Sequence, residues 1–145
     1  MSGPSVVALA NNKLATAAHL AAVGVPTPQS LLLADYLREP DRLRSPVIAK
    51  PLAGSASVGI VWPKNNFDLA GLDPEQFLIQ GLWRGREFTV NMFVDQSGRL
   101  RSIVPHERLE VRSGEVSKGV TRAVPALADA AEKLAGALPG AVGPL

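Results

Sequence analysis

A lysine closing a short apolar run, with a loop of small residues after it, is the part of this sequence best suited to chemistry. Pro46-Val47-Ile48-Ala49-Lys50 has the composition of a buried strand, and Gly54, Ser55, Ser57 and Gly59 follow closely. Small residues let backbone N–H groups close around an anion, and an ammonium neutralises its charge, so the pairing suits a polyphosphate. The loop lacks both the Gly-Lys-Ser/Thr ending of a P-loop and a helix after it, and it is not a dinucleotide fingerprint. A plain β-hairpin whose turn needs small side chains accounts for the same residues. Lys13, at a helix start, is either an anion contact or a solvated first-turn lysine. Glu87 is placed to take both hydroxyls of a ribose, or to pair on the surface with Arg84 or Arg86. His106-Glu107-Arg108 is a polar cluster whose plainer role is structural. No spacing of histidines and carboxylates suggests a metal set, and two histidines support no Ser–His–Asp arrangement.

The elements that must position these residues follow from capping and periodicity. Asn11 or Asn12 caps a helix over Lys13 to Val23, stopped by Gly24 and Pro26, with Leu14, Ala17, Ala18 and Ala21 on one weakly apolar face. Residues 1–10 carry no pattern and read as a tail. Gln29 to Leu33 reads as a strand, Asp35 to Leu43 as a short helix, and Ile60 to Trp62 as a second strand leaving the small-residue loop. Strands are expected over Phe77 to Gln80 and Glu87 to Val94. Asp95-Gln96-Ser97-Gly98 makes a hairpin turn into a strand from Arg99 to Pro105, with a further strand over Glu107 to Arg112. Ala126 to Leu138 is again helical, closed by Pro139-Gly140.

Composition limits the function. The 145 residues suffice for one domain or two small lobes, with 46% apolar and 19% charged residues, as in soluble globular proteins. A net charge of +2, with scattered arginines and no basic run among aromatics, argues against nucleic acid. Without cysteine there are no disulfides, no thiol catalysis and no zinc–thiolate sites. No apolar run approaches the roughly 20 residues that cross a bilayer, and no signal peptide is visible. A cytoplasmic protein without a membrane partner is the expectation.

The order of the pieces carries a resemblance. Asn12-Lys13 opening a helix, then Gly24-Val25-Pro26-Thr27-Pro28, then Pro46 to Pro51 and the glycine/serine loop, resembles the small lobe of the ATP-grasp superfamily. Phe77-Leu78-Ile79-Gln80 and then Gly85-Arg86-Glu87-Phe88 resemble the family's hinge strand and the opening of its large lobe. Arg108 to Thr121 is similar to one branch, the proteins related to the carbamoyl-phosphate synthetase large subunit. The resemblance implies an α+β fold of two small lobes with antiparallel sheets and flanking helices. The small lobe would cover residues 11–76 and a partial large lobe 77–145.

The resemblance also implies roles. Lys13 and Lys50 would contact the ATP phosphates, and Gly54, Ser55, Ser57 and Gly59 would form the lid. Gln80, Gly81, Leu82 and Trp83 would lie along the adenine through backbone groups, and Glu87 would hold the ribose. Arg108, Lys118 and Thr121 would face the second substrate or the phosphates. The family binds Mg2+ through acidic and asparagine ligands on strands after the last helix, and this chain is expected to stop where they begin, so those ligands and efficient phosphoryl transfer are expected to be missing. The parent activity implied is ligation of a small carboxylate, or bicarbonate, to an amine or ammonia through an acyl-phosphate. An unpaired sheet edge could favour association between chains. The competing expectation is a non-enzymatic α+β module without a nucleotide site.

Overall fold

The computed structural model describes residues 2–55, 57–112 and 114–145. Two antiparallel sheets organise the chain. The first has the order β1–β3–β2, built from β1 (Ser30–Leu32), β2 (Val47–Pro51) and β3 (Phe77–Gly81). The second has the order β6–β5–β4–β7, built from β4 (Phe88–Val94), β5 (Leu100–Arg112), β6 (Glu115–Thr121) and β7 (Gly143–Pro144). The sequence division at 76/77 puts Phe77–Gly81 with the second lobe. In the structure this segment is instead the central strand of the first sheet, pairing Leu31 with Ile79 and Ala49 with Ile79 on its two sides.

Strand alternation gives the first sheet two different faces. Val47, Ala49, Ile79 and Leu31 point into a core completed by Leu33 and Tyr36 of α3 (Leu33–Arg38), by Leu43 and by Leu69. Ile48, Lys50, Leu78, Gln80 and Ser30 occupy the opposite face. There α2 (Lys13–Ala22) lies nearby, its Ala17 and Leu20 lining a cleft with Leu78, Lys50 and Gln80. In the second sheet Met92 and Val94 are buried on the side of α4 (Pro125–Gly136), while Asn91 and Phe93 point outward.

The N-cap expectation for α2 holds: Asn12 Oδ1 accepts from the Leu14 and Ala15 amides, both at 3.0 Å. Gly24 ends the helix at φ +72°, a backbone conformation that glycine adopts without strain. At the hairpin before β5, Asp95 Oδ1 accepts from the Ser97 hydroxyl at 2.6 Å and from the Arg99 and Ser97 amides, and these bonds, the hydroxyl's foremost, hold its carboxyl below the usual carboxylate range.

Four local expectations are corrected. Residues read as a tail include α1 (Pro4–Ala10), with Pro4 in the favoured first-turn position and Val6 buried; Gly3 N donates to Gly140 O at 2.9 Å. The helix expected from Asp35 to Leu43 starts at Leu33, ends at Arg38, and gives way at Pro40 to a short 3-10 turn over Pro40–Arg42. The strand expected over Ile60 to Trp62 is a single bridge, in which Val61 and Ala49 exchange two backbone bonds of 2.9 Å. Pro63, which has no N–H, follows at once and cannot extend that pairing. The two strands expected either side of His106 are one continuous β5. Pro105 O accepts from Arg122 N, beyond the end of β6, so the missing N–H of Pro105 faces that side and the pairing of β5 with β4 loses no bond.

Candidate nucleotide site

Lys50 is where the first sheet turns polar. Its ammonium leaves the cleft face and donates to Gln80 Oε1 at 2.8 Å, and Gln80 Nε2 in turn donates to Ser30 Oγ at 2.9 Å. Gln80 on β3 is directly opposite Ser30 on β1 and diagonal to Lys50 on the same face of β2, so the sheet itself fixes the position of the cation. Burial lowers the Lys50 pKa from the usual lysine value, the nearby Lys13 charge lowers it further, and Glu87 opposes both. Lys13 and Lys50 therefore line one cleft although the sequence separates them widely.

Lys13 is not simply solvated. Its Nζ donates to Gly54 O at 2.7 Å, linking the first turn of α2 to the small-residue loop. That loop is exposed, and its backbone enters the left-handed region at Gly54 (φ +99°), Ser57 (φ +59°) and Gly59 (φ +73°). At Gly59 a Cβ would stand 2.9 Å from Pro51 Cγ, so the loop doubles back against the end of β2 in a way that only glycine allows there. Ala56, also in this loop, lies outside the described residues. Beneath the two lysines, a cleft of about 270 Å3 runs between α2, the Thr27–Pro28 turn and β2–β3.

The segment from Gln80 to Glu87 crosses from the first sheet to the second. The Gly81 and Leu82 amides already donate, to Gln29 O and Pro46 O, each at 2.9 Å. Trp83 is largely exposed, and its amide has no protein partner among the described residues. Glu87 pairs with neither Arg84 nor Arg86: its Oε1 lies 3.2 Å from Arg108 Nε, close enough for an ion pair although not aligned as a hydrogen bond. The rest of the Arg108 guanidinium donates to Thr89 Oγ1 at 3.3 Å and to Gly114 O at 2.8 Å. Register places Glu87, Thr89, His106, Arg108 and Thr121 on one face of the second sheet.

Lys118 is not brought to this group. It sits on the outer strand β6, opposite Glu110, with its Nζ 3.6 Å from Glu110 Oε1 and both side chains exposed. Glu107 takes a structural place: it is the buried carboxylate of the second sheet, bonded by Arg122 and approached by Arg86 at 3.8 Å. Among the described residues no three His, Cys, Asp or Glu side chains gather to hold a metal, so no residue of this chain is assigned to Mg2+.

Sequence reasoning missed the Gln80 and Ser30 side chains as partners of Lys50, having read Gln80 only for its backbone. The signal was present in strand alternation: Lys50 and Gln80 share a face once β2 and β3 are aligned antiparallel. It also missed Thr89, which is two residues from Glu87 on the same strand face.

Comparison with known proteins bears on the family and the fold. Residues 10–145 match the family described as an ATP-grasp domain. No curated protein sequence matches the chain. An L-amino acid ligase from Bacillus licheniformis superposes with a TM-score of 0.69 at 18% identity, over 96% of this chain and 39% of that one. A pyruvate carboxylase from Rhizobium etli gives 0.79 at 18% identity, over 97% of this chain and 14% of that one. A D-alanine-D-alanine ligase from Coxiella burnetii gives 0.64 at 17% identity, over 99% and 44%. The chain thus spans less than half the length of each, and likeness at these identities concerns the fold. Among the described residues no helix is long and apolar enough to cross a membrane. With the match extending over nearly its whole length, the chain belongs to the ATP-grasp domain family.

Proposed function

We propose that this chain is the ATP-binding part of an ATP-dependent ligase that joins a small carboxylate, or bicarbonate, to an amine or ammonia. One observation carries the reading: Lys13, tied to the glycine/serine loop, and Lys50, tied to Gln80 on the cleft floor, line the same cleft. Two like charges held together, one with a lowered pKa, are a site prepared for a polyphosphate, whose binding relieves their repulsion. Lys50 would hold phosphate oxygens with Lys13, amides of the Gly54–Gly59 loop would cover them, and Glu87 would take the ribose. The adenine would lie along Gln80 to Trp83, with the free Trp83 amide as a donor.

In the reaction so read, the carboxylate oxygen attacks the γ-phosphorus of ATP and ADP leaves. The amine nitrogen then adds to the acyl-phosphate carbonyl, and phosphate departs. The part of this chain in that sequence is positioning and charge stabilisation. The similarity of Arg108–Thr121 to the carbamoyl-phosphate synthetase large-subunit branch supports that branch, with Arg108, beside Glu87, as the residue nearest the nucleotide. Lys118, paired with Glu110 on the outer strand, fits a substrate role less well. A cytoplasmic setting, where ATP is plentiful, accords with the reading.

Titration with a non-hydrolysable ATP analogue, followed by the fluorescence of Trp83 in a Trp62→Phe background, tests it. Lys50→Ala and Glu87→Ala are each expected to weaken binding by roughly tenfold or more, the scale of one charge-assisted contact. Unchanged affinity in both variants would overturn the site assignment.

A further inference from the structure

The polar groups behind Lys50 form a chain of hydrogen bonds that can run in one direction only. At its far end the Pro28 carbonyl can only accept, and Ser30 Oγ gives it its one proton at 3.0 Å. The Ser30 oxygen is then left as an acceptor, and the Gln80 Nε2 amide donates to it at 2.9 Å. At the near end Lys50 Nζ can only donate, and it meets Gln80 Oε1 at 2.8 Å. The Gln80 amide is thus fixed from both sides. Turned over, it would set an NH2 donor against the ammonium, and Ser30 would have to abandon Pro28 to bond the displaced oxygen. All three bonds are partly shielded from water.

We infer that Ser30 and Gln80 are positioning residues for Lys50: the chain from the Pro28 carbonyl keeps the Gln80 oxygen toward the ammonium, holding it at the cleft without cancelling its charge. An amide suits this task better than a carboxylate. It offers Lys50 a dipole and no net charge, so an arriving phosphate oxygen meets an ammonium that has no ion-pair partner in the chain. A carboxylate at the same place would form an ion pair with Lys50, and the phosphate would have to compete with it. The use made of that charge rests on the nucleotide reading; the orientation of the amide does not.

The Lys50 ammonium is titrated by NMR in the intact chain without nucleotide, and a non-hydrolysable ATP analogue is titrated separately. Ser30→Ala frees the amide to turn over, and loss of a fixed acceptor disfavours the ammonium. The Lys50 midpoint is therefore expected to fall by about half a pH unit, with analogue affinity about threefold weaker. Ser30→Thr, which keeps the hydroxyl, should restore both. Gln80→Glu should raise the midpoint by about one pH unit and yet weaken the analogue about tenfold, because the new ion pair must be broken. A merely structural role would lower stability to urea and leave the Lys50 midpoint in place. If Gln80→Glu does not fold, the two Ser30 variants decide. An unmoved midpoint in Ser30→Ala, no recovery in Ser30→Thr, or tighter analogue binding in Gln80→Glu would each overturn the inference. Midpoints that move as expected while no variant, Lys50→Ala included, alters analogue binding would support the positioning and overturn the nucleotide reading instead.

Discussion

Substituting Gly59 with alanine should do more damage than the same substitution at Gly24, although the two share nearly the same φ, +73° and +72°. Around Gly24 nothing lies within 4 Å of where a Cβ would sit, whereas at Gly59 Pro51 Cγ is 2.9 Å away. Gly24→Ala therefore meets only the left-handed backbone penalty, about 1–2 kcal/mol, part of it offset by the stiffer unfolded chain, for a net of about 1 kcal/mol. Gly59→Ala carries that penalty plus a carbon contact well inside the roughly 3.5–4.0 Å optimum. Pro51 cannot yield readily, since it is a paired residue of β2 opposite Phe77. The loop must yield instead, and what holds it is the pair of 2.9 Å bonds between Ala49 and Val61. Releasing both costs about 2 kcal/mol, which sets a ceiling on the added strain. The expected total is about 2–3 kcal/mol, read by urea denaturation, against about 1 kcal/mol for Gly24→Ala. Amide exchange at Ala49 and Val61 should quicken in Gly59→Ala alone. Equal losses in the two variants, with unchanged protection at Ala49 and Val61, would refute the idea that Gly59 is required by contact with β2.

The lowered Lys50 pKa has a definite sign. Its folded value lies below the unfolded one, so the unfolded chain holds more protons between the two. The penalty of the buried charge is then fully present below that window, and stability rises with pH across it. NMR titration of Lys50 should give a midpoint below the ordinary lysine range, and Lys13→Met should move it upward; a midpoint that ignores Lys13 would show that the two ammonium groups do not interact. Glu107→Gln should cost about 1–2 kcal/mol by urea denaturation. It removes a buried charge bonded by Arg122, whose half-exposed guanidinium can still turn to water. A loss under about 0.5 kcal/mol would mean the pair contributes little.

The helix start at Asn12, the stop at Gly24 and the turn at Asp95 were legible because each rests on a local bond or a local conformation. Lys50 at a strand end and the left-handed turns of the loop after it were legible for the same reason, and the order of motifs located the family. What the sequence concealed depends on register. Nothing local says that Gln80 shares a face with Lys50, that β3 belongs between β1 and β2, or that Glu87 meets Arg108 rather than Arg86. Those pairings are decided by how antiparallel strands align over tens of residues. The tail reading of residues 1–10 failed differently. Pro4 is a sound helix-start signal, but a seven-residue helix is too short for its periodicity to stand out, and its order comes from contact with α2 and Gly140.

The long strand β5 outruns its inner neighbour. On the β4 side its last backbone bond is from the Arg108 amide to the Glu87 carbonyl at 2.8 Å, so from Leu109 to Arg112 it is paired with β6 alone among the described residues. A two-stranded ribbon is barely stable by itself in water. Here the Arg108 guanidinium braces it against the body, reaching from Thr89 on one side to the Gly114 carbonyl on the other. The ribbon is thus an outrigger lashed at its root, and its bearing relative to Glu87 is fixed where the Arg108 amide and guanidinium both reach back to that neighbourhood.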